Sequence, residues 1–122
     1  MSDILNLKIG SKKINGIIKN IDIISVLRPN NKLQQKIVFS VVDIATNSIY
    51  KVSDAWTTDK GCLVIRALWL YESPDGIYAD STLAKSMKFY NITNLKDFIG
   101  TTINLYPDNK NYLTLVITDD IK

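Results

Sequence analysis

Short β-branched stretches separated by turn-forming residues constrain the fold of this chain more than any other feature. Isoleucine, valine and threonine recur throughout, and Pro-Asn-Asn, Asn-Ser and Pro-Asp-Gly clusters interrupt them at short intervals. β-branched side chains favour extended backbone, whereas such clusters end strands. We therefore expect a mostly β protein.

The apolar pattern predicts a long first strand over residues 12–27 and further strands over 35–44, 49–53, 62–71, 101–106 and 112–118. A change of apolar parity within the first strand predicts a bulge or bend near Gly16 or Asn20. Residues 54–61 are mostly polar and are expected to form a loop. The turn at 73–76 predicts a hairpin with residues 77–79.

Leu83, Met87 and Tyr90 recur at helical spacing and are expected to form the core-facing side of a helix. Asp80 or Ser81 can cap a helix over about 81–91, a short turn follows at 94–99, and Gly100 ends it. The resulting order matches the OB-fold, a five-stranded Greek-key barrel with a helix between strands 3 and 4. We predict one OB-fold-like domain over residues 1–122, with residues 1–10 as a flexible N-terminus. Another small β-barrel or sandwich with an inserted helix is the alternative.

Residue types that carry most enzyme chemistry are scarce. Histidine is absent, and Cys62 and Glu72 are the single cysteine and the single glutamate. The commonest general base and metal ligand is therefore missing. Asp43, Asp54 and Asp59 lack a recognised metal-ligand spacing. We expect a protein that is not an enzyme and that uses no metal or cofactor.

Positive charge is concentrated in the first third of the chain. Residues 1–36 carry seven basic and two acidic side chains, whereas residues 37–122 carry eight basic and ten acidic ones. A basic face can attract an anionic polymer, and an ordinary solvated surface is the alternative. No apolar run approaches the roughly 20 residues that cross a bilayer, so we expect a soluble, cytoplasmic protein without membrane contacts.

Residues 81–100, which end in Leu-Lys-Asp-Phe-Ile-Gly, resemble a helix followed by an LxDxIG passage. Small OB-fold single-stranded-DNA-binding proteins of bacteriophages and plasmids of Gram-positive bacteria carry such a passage before their last hairpin. The hairpin at 102–115 and the basic strand at 12–27 are similar too. The resemblance implies sequence-nonspecific binding of single-stranded DNA in phage or plasmid replication or recombination. It also implies replication or recombination proteins as partners and, for a phage-encoded chain, the host cytoplasm.

Binding of a single strand requires a basic groove for phosphates and aromatic faces for bases. In OB-folds the ligand lies on strands 2 and 3, between the first and last hairpin loops. The candidate nucleic-acid-binding residues are the basic and aromatic side chains expected around that groove: Lys13, Lys19, Arg28, Lys32, Lys36, Tyr50, Lys51, Trp56, Arg66 and Lys110.

The two tryptophans lie in different sequence contexts. Trp56 lies in a polar stretch, which favours a stacking platform, although a plug over one barrel end is the alternative. Trp69 lies in an apolar run and is expected in the core. Arg66 has the opposite parity to Trp69, so both cannot face the ligand if residues 62–71 form one regular strand. Tyr106 and Tyr112 are expected to pair across the last hairpin.

Two non-enzymatic classes remain open. The first is a module that binds single-stranded DNA or RNA, and the second is a β-barrel interaction protein or a phage structural or regulatory protein. We also expect a homo-oligomer, a dimer or higher, because linked sites along one strand raise affinity by avidity.

Overall fold

The computed structural model describes residues 13–121, and these residues are mostly β, as predicted. The strands are β1 (Ile14–Leu27), β2 (Leu33–Asp43), β3 (Ile49–Val52), β4 (Asp54–Asp59), β5 (Cys62–Ala67), β6 (Glu72–Ser73), β7 (Gly76–Ile77), β8 (Thr102–Pro107) and β9 (Leu113–Val116). Helix α1 (Thr82–Phe89) and a 3-10 helix (Leu95–Phe98) precede the last two strands, which confirms the predicted helix and short turn. The expected flexible segment 1–10 and the predicted strand start at Lys12 lie outside the described residues.

Seven strands form one sheet in the order β3-β2-β1-β8-β9-β4-β5, and β6 pairs with β7 in a separate hairpin. Neighbouring strands are antiparallel except β4 and β9, which are parallel. β3 and β4 lie near opposite ends of this order, yet Ser53 alone separates them in the chain. β3 also lies beside β9.

The long strand β1 pairs with two neighbours. Residues 14–17 pair with β8, and nearly the whole strand pairs with β2. The register shifts between Ile18 and Asn20, which makes Lys19 an extra residue and moves the inward-facing positions from even to odd numbers. The predicted bulge is therefore present near Asn20.

Gly16, the other expected bulge position, instead allows β1 and β2 to approach closely. A Cβ atom on Gly16 would lie 2.4 Å from Val41 Cγ1 and 3.2 Å from the Val42 carbonyl oxygen. Val41 is fully buried and β-branched, so it has little freedom to move away. A glycine is required here because the neighbouring strand fills the space of a side chain.

The loop predicted over residues 54–61 is wrong. All six residues of β4 pair with β5, and Lys60 and Gly61 form the turn between them with positive φ angles. The polar residues of this segment resemble a loop sequence, but threonine and tryptophan favour extended backbone on a half-exposed hairpin.

The single strand predicted over residues 62–71 is divided into two parts. β5 ends at Ala67, and the chain then leaves β4 to lie beside β2. Ile37 N donates to Leu68 O, and Leu70 N donates to Gln35 O, each at 2.9 Å. Residues 68–70 thus continue the edge of β2 at the point where β3 stops pairing with it.

The core lies between the inner face of the sheet and the two helices. Ser81 caps α1, because its Oγ accepts a hydrogen bond from Ala84 N at 3.1 Å. The inner face of α1 buries Leu83 and Met87, as predicted. The ring centroids of Phe39 and Phe98 lie 4.9 Å apart within this core.

Tyr90, directly after α1, connects the helix to the last two strands. Its hydroxyl donates to Val116 O at 2.5 Å and accepts from Asn104 N at 3.1 Å. Burial raises the pKa of Tyr90 to about 12, and the hydrogen bond from Asn104 partly opposes that rise.

The Gly16→Ala substitution should destabilise the protein by about 1–3 kcal/mol, because the new methyl group overlaps Val41. Urea unfolding followed by circular dichroism measures this change. Asn15→Ala, at an exposed neighbouring position, should change the free energy of unfolding by less than about 0.5 kcal/mol. Equal stabilities for the two variants would contradict the close approach at Gly16.

Tyr90→Phe should lower the free energy of unfolding by about 1–3 kcal/mol, since two backbone groups lose their partner. Between about pH 10 and pH 12 the folded native chain keeps a proton that its unfolded form releases, so its stability falls as pH rises. Tyr90→Phe has no ionisable hydroxyl at this position, so this part of the loss of stability with rising pH should be absent. Tyr78→Phe, at an exposed position, is the matched control in urea unfolding across that pH range.

Candidate nucleic-acid interface

Trp69 lies on the outer face of the sheet, where residues 68–70 run beside β2. It forms an antiparallel bridge with Lys36, while its neighbours Leu68 and Leu70 are buried in the core. Successive side chains of extended backbone point to opposite faces, so Trp69 faces outward and is half-buried. The expectation that Trp69 belongs to the core is therefore wrong.

Two cations lie near the Trp69 ring. Arg28 Cζ is 4.2 Å from the ring centroid, and Lys36 Nζ is 5.3 Å from it. Both distances fall within the roughly 6 Å range of cation–π attraction. Arg28 is held in the β1–β2 connection, because its N–H donates to Lys32 O at 2.9 Å. The result is an aromatic surface flanked by two positive charges.

An open cleft of about 400 Å³ adjoins Trp69. Its walls come from the β1–β2 connection, β5 and the start of α1: Arg28, Ile65, Arg66, Ala67, Trp69, Tyr71, Asp80, Ser81 and Thr82. Arg66 and Trp69 share this cleft although one regular strand would place them on opposite faces. They meet because the chain changes partner strands after Ala67, so the alternation does not continue across that point.

Between residues that the structure describes, three basic side chains of the candidate set form ion pairs with carboxylates. The pairs are Lys36 Nζ with Asp54 Oδ1 at 3.0 Å, Arg66 with Asp59 Oδ2 at 3.0 Å, and Lys51 Nζ with Asp22 Oδ2 at 3.8 Å. The Arg66 and Lys51 pairs are about half exposed, and such pairs contribute roughly 0–1 kcal/mol. A phosphate can therefore replace either carboxylate at small cost.

Neighbouring residues on β3 face opposite sides of the sheet. Tyr50 pairs with fully buried Val41 and packs against the core. Lys51 pairs with Ser40 on the outer face, where its Nζ donates to Ser40 Oγ at 2.6 Å. Of these two candidates, only Lys51 shares the face of Lys36 and Trp69.

Trp56 occupies a different place from the one expected. It lies within β4, and its ring meets the edge of Tyr106 at a centroid distance of 6.3 Å. It lines a smaller cavity of about 180 Å³ together with Leu63, Tyr106, Asp120 and Ile121. Among the residues described, its Nε1 is buried without a hydrogen-bond partner. Trp56 is therefore a half-buried side chain that packs against Tyr106 from the β4–β5 hairpin.

The predicted cross-strand pair of tyrosines is wrong. The register sets Tyr106 opposite Thr114 rather than Tyr112, and Asp108 N donates to Tyr112 O at 2.8 Å. Tyr112 is 70% exposed.

The remaining basic candidates lie outside the cleft. Lys19 is exposed at the bulge, Lys32 is exposed in the β1–β2 connection, and Lys110 is exposed in the β8–β9 turn. Lys13 is half-buried and lines a separate cavity beside Asp43. The structure thus brings Arg28, Lys36 and Arg66 together and distributes the other lysines over the surface.

Comparison with known protein families, with curated proteins and with solved structures finds no match for this chain. Residues 13–121 contain no group of three or more side chains suited to hold a metal ion. Within the same residues, no helix has the length and apolar character needed to cross a membrane. The side chains that line the cleft supply aromatic rings for stacking, two guanidinium groups, the carboxylate of Asp80, and hydroxyl groups for hydrogen bonding.

Sequence reasoning missed Trp69 and Tyr71 as parts of the cleft. The available signal was the alternation through residues 68–71, in which the two leucines can be buried only if the two aromatic residues point outward. Tyr71 is 41% exposed, which agrees with that alternation.

Proposed function

We propose that this chain binds single-stranded nucleic acid across the outer face formed by β2, β3 and residues 68–71. The observation that carries the proposal is the placement of Trp69 with Arg28 and Arg66 around one open cleft, with Lys36 Nζ 5.3 Å from the Trp69 ring centroid. Stacking of a base on an aromatic ring contributes about 1–3 kcal/mol, and the cations can contact the flanking phosphates. An open cleft suits a continuous strand, whereas small-molecule sites bury most of their ligand.

The topology supports this function. We propose that the sheet closes into an OB-fold-like barrel through β3 and β4, which form one strand interrupted at Ser53. β3 pairs with β2, and β4 pairs in parallel with β9. In this arrangement the five barrel strands are β1, β2, β3–β4, β8 and β9. Helix α1 precedes the fourth barrel strand, β8. OB-folds bind ligands on strands 2 and 3, where Lys36 and Lys51 lie.

The proposed ligand is single-stranded DNA bound without sequence preference, and RNA is the competing ligand. Stacking on Trp69 is open to every base, because each base has a π-face. The resemblance of residues 81–100 supports a non-enzymatic role in phage or plasmid replication or recombination. It likewise supports a cytoplasmic location, the host cytoplasm for a phage-encoded chain, and contacts with replication or recombination proteins.

Two single-tryptophan variants test the site. Oligo(dT) of about 16 nucleotides should quench the fluorescence of Trp56→Phe, in which Trp69 is the reporter. It should leave the emission of Trp69→Phe nearly unchanged. Trp69→Ala should weaken binding by roughly 5- to 150-fold, which corresponds to the loss of about 1–3 kcal/mol of stacking. Circular dichroism verifies that each variant is folded.

Two results would contradict the proposal at different levels. Unchanged affinity in folded Trp69→Ala would remove Trp69 from the interface. If the native chain forms no salt-sensitive complex with oligo(dT) or oligo(rU), nucleic-acid binding itself is wrong. That result would favour the class of β-barrel interaction proteins or phage structural or regulatory proteins.

Asp59→Asn should strengthen binding to oligo(dT) at low salt, because it releases Arg66 to contact a phosphate. The slope of log affinity against log salt should steepen by up to about 1. Asp75→Asn, in the β6–β7 turn, makes the same charge change away from the cleft and is the control. Equal gains in both variants would show that net charge, rather than Arg66, is responsible.

A further inference from the structure

Within residues 13–121, the outer edge of β1 beyond the bulge has no partner strand. β8 pairs with residues 14–17, and Ile18 bonds to residues 100 and 101. Within the described residues, no backbone hydrogen bond reaches the side of Asn20–Leu27 that faces away from β2. A strand edge of this kind presents a row of free N–H and C=O groups that can pair with another chain.

The backbone N–H and C=O groups of every second residue of β1 point toward the free edge. Gln35 and Ile37 of β2 direct their backbone groups away from β1, since Leu70 and Leu68 bond to them. Their partners on β1, Ser25 and Ile23, therefore direct their own groups toward the free edge. By alternation the same holds for Ile21 and Leu27.

The flanks of this edge are apolar. Ile23 is 53% exposed, Ile24 is 42% exposed and Leu27 is 64% exposed, on the two faces of β1. Proteins commonly protect exposed edges with charged side chains, lysine above all, or with proline, and residues 20–27 contain one charged side chain, Asp22, and neither lysine nor proline. β5, at the end of the sheet order, is shorter and carries Arg66. The edge of β1 is therefore the stronger candidate for pairing with another chain.

We propose that a second copy of this chain adds its β1 antiparallel to this edge, forming a symmetric dimer. The register that uses all four outward-facing residues sets Ile23 opposite the partner's Ser25 and Ile21 opposite the partner's Leu27. The two copies of Ile24 then face each other across the two-fold axis. This proposal rests on the sheet edge and is independent of nucleic-acid binding.

Self-pairing fits the chemistry of the edge. An antiparallel pair of identical strands gives each outward N–H and C=O a matching group and closes after two copies. In this register no like charges face each other, and Asp22 lies diagonally from the partner's Arg28. Paired edges alone bury less than the roughly 800 Å² per partner of a standard interface, so we expect a dissociation constant of about micromolar order.

Sedimentation equilibrium on the native chain should show a monomer–dimer equilibrium at micromolar concentrations. Ser25→Pro should shift it to monomer, because proline removes an outward N–H but no bond between β1 and β2. Ser25→Ala keeps that N–H and should still form a dimer. Circular dichroism and urea unfolding confirm that both variants fold.

Cysteine crosslinking tests the register without a disruptive substitution. In a Cys62→Ser background, Ile24→Cys should form a disulfide-linked dimer under mild oxidation, because directly opposed residues of a non-hydrogen-bonded pair have Cα atoms about 4.5 Å apart. Leu33→Cys, at an equally apolar and more exposed position on β2, should not.

The dimer would be overturned if the native chain stayed monomeric at about 100 μM, roughly a hundred times the expected dissociation constant, and showed no preferential crosslink at position 24. A dimer that persists in Ser25→Pro and crosslinks equally at position 33 would also overturn the proposal, because its interface must lie elsewhere. Oligo(dT) quenching of monomeric Ser25→Pro separates this failure from that of the nucleic-acid proposal, since the Trp69 cleft lies within one copy.

Discussion

The register shift at Lys19 allows one strand to contribute to both halves of the sheet. Before the shift, Gly16 and Ile18 face inward between β2 and β8, and after it Ile21 packs against the same core. Without an extra residue, either half of β1 would direct polar side chains into the interior. The bulge is thus the condition under which a 14-residue strand can pair along β2 and also support β8.

The candidate interface depends on a second change of pairing, after Ala67. When β3 stops pairing with β2, residues 68–70 take its place, and Leu68 N donates to Ser53 O at 2.9 Å. Leu68 and Leu70 fill the core, which leaves Trp69 outside, beside Lys36. One packing requirement therefore creates the outward aromatic ring. The neighbouring cations come from the β1–β2 connection and from β2 itself.

Local signals predicted much of the fold. The Ser81 cap, the helical spacing of Leu83 and Met87, the Pro-Asp-Gly hairpin and the parity change near Asn20 each act within a few residues. Each of them appears in the structure at or near its predicted position. The strand β4 was missed because its polar threonines resemble a loop when read without the partner strand β5 that they face.

The candidate site was less predictable than the fold. The sequence by itself determined a β-rich chain with one helix, a basic N-terminal third, and the residue types suited to contact phosphates and bases. Only the tertiary structure decided which tryptophan borders the open cleft, because Trp56 and Trp69 both lie in segments of ambiguous pattern. Their roles depend on the pairing of Gln35 with Leu70 and of Trp56 with Val116 across long stretches of chain. A local apolar pattern records how side chains alternate, but it contains no information on which distant strand will cover each face.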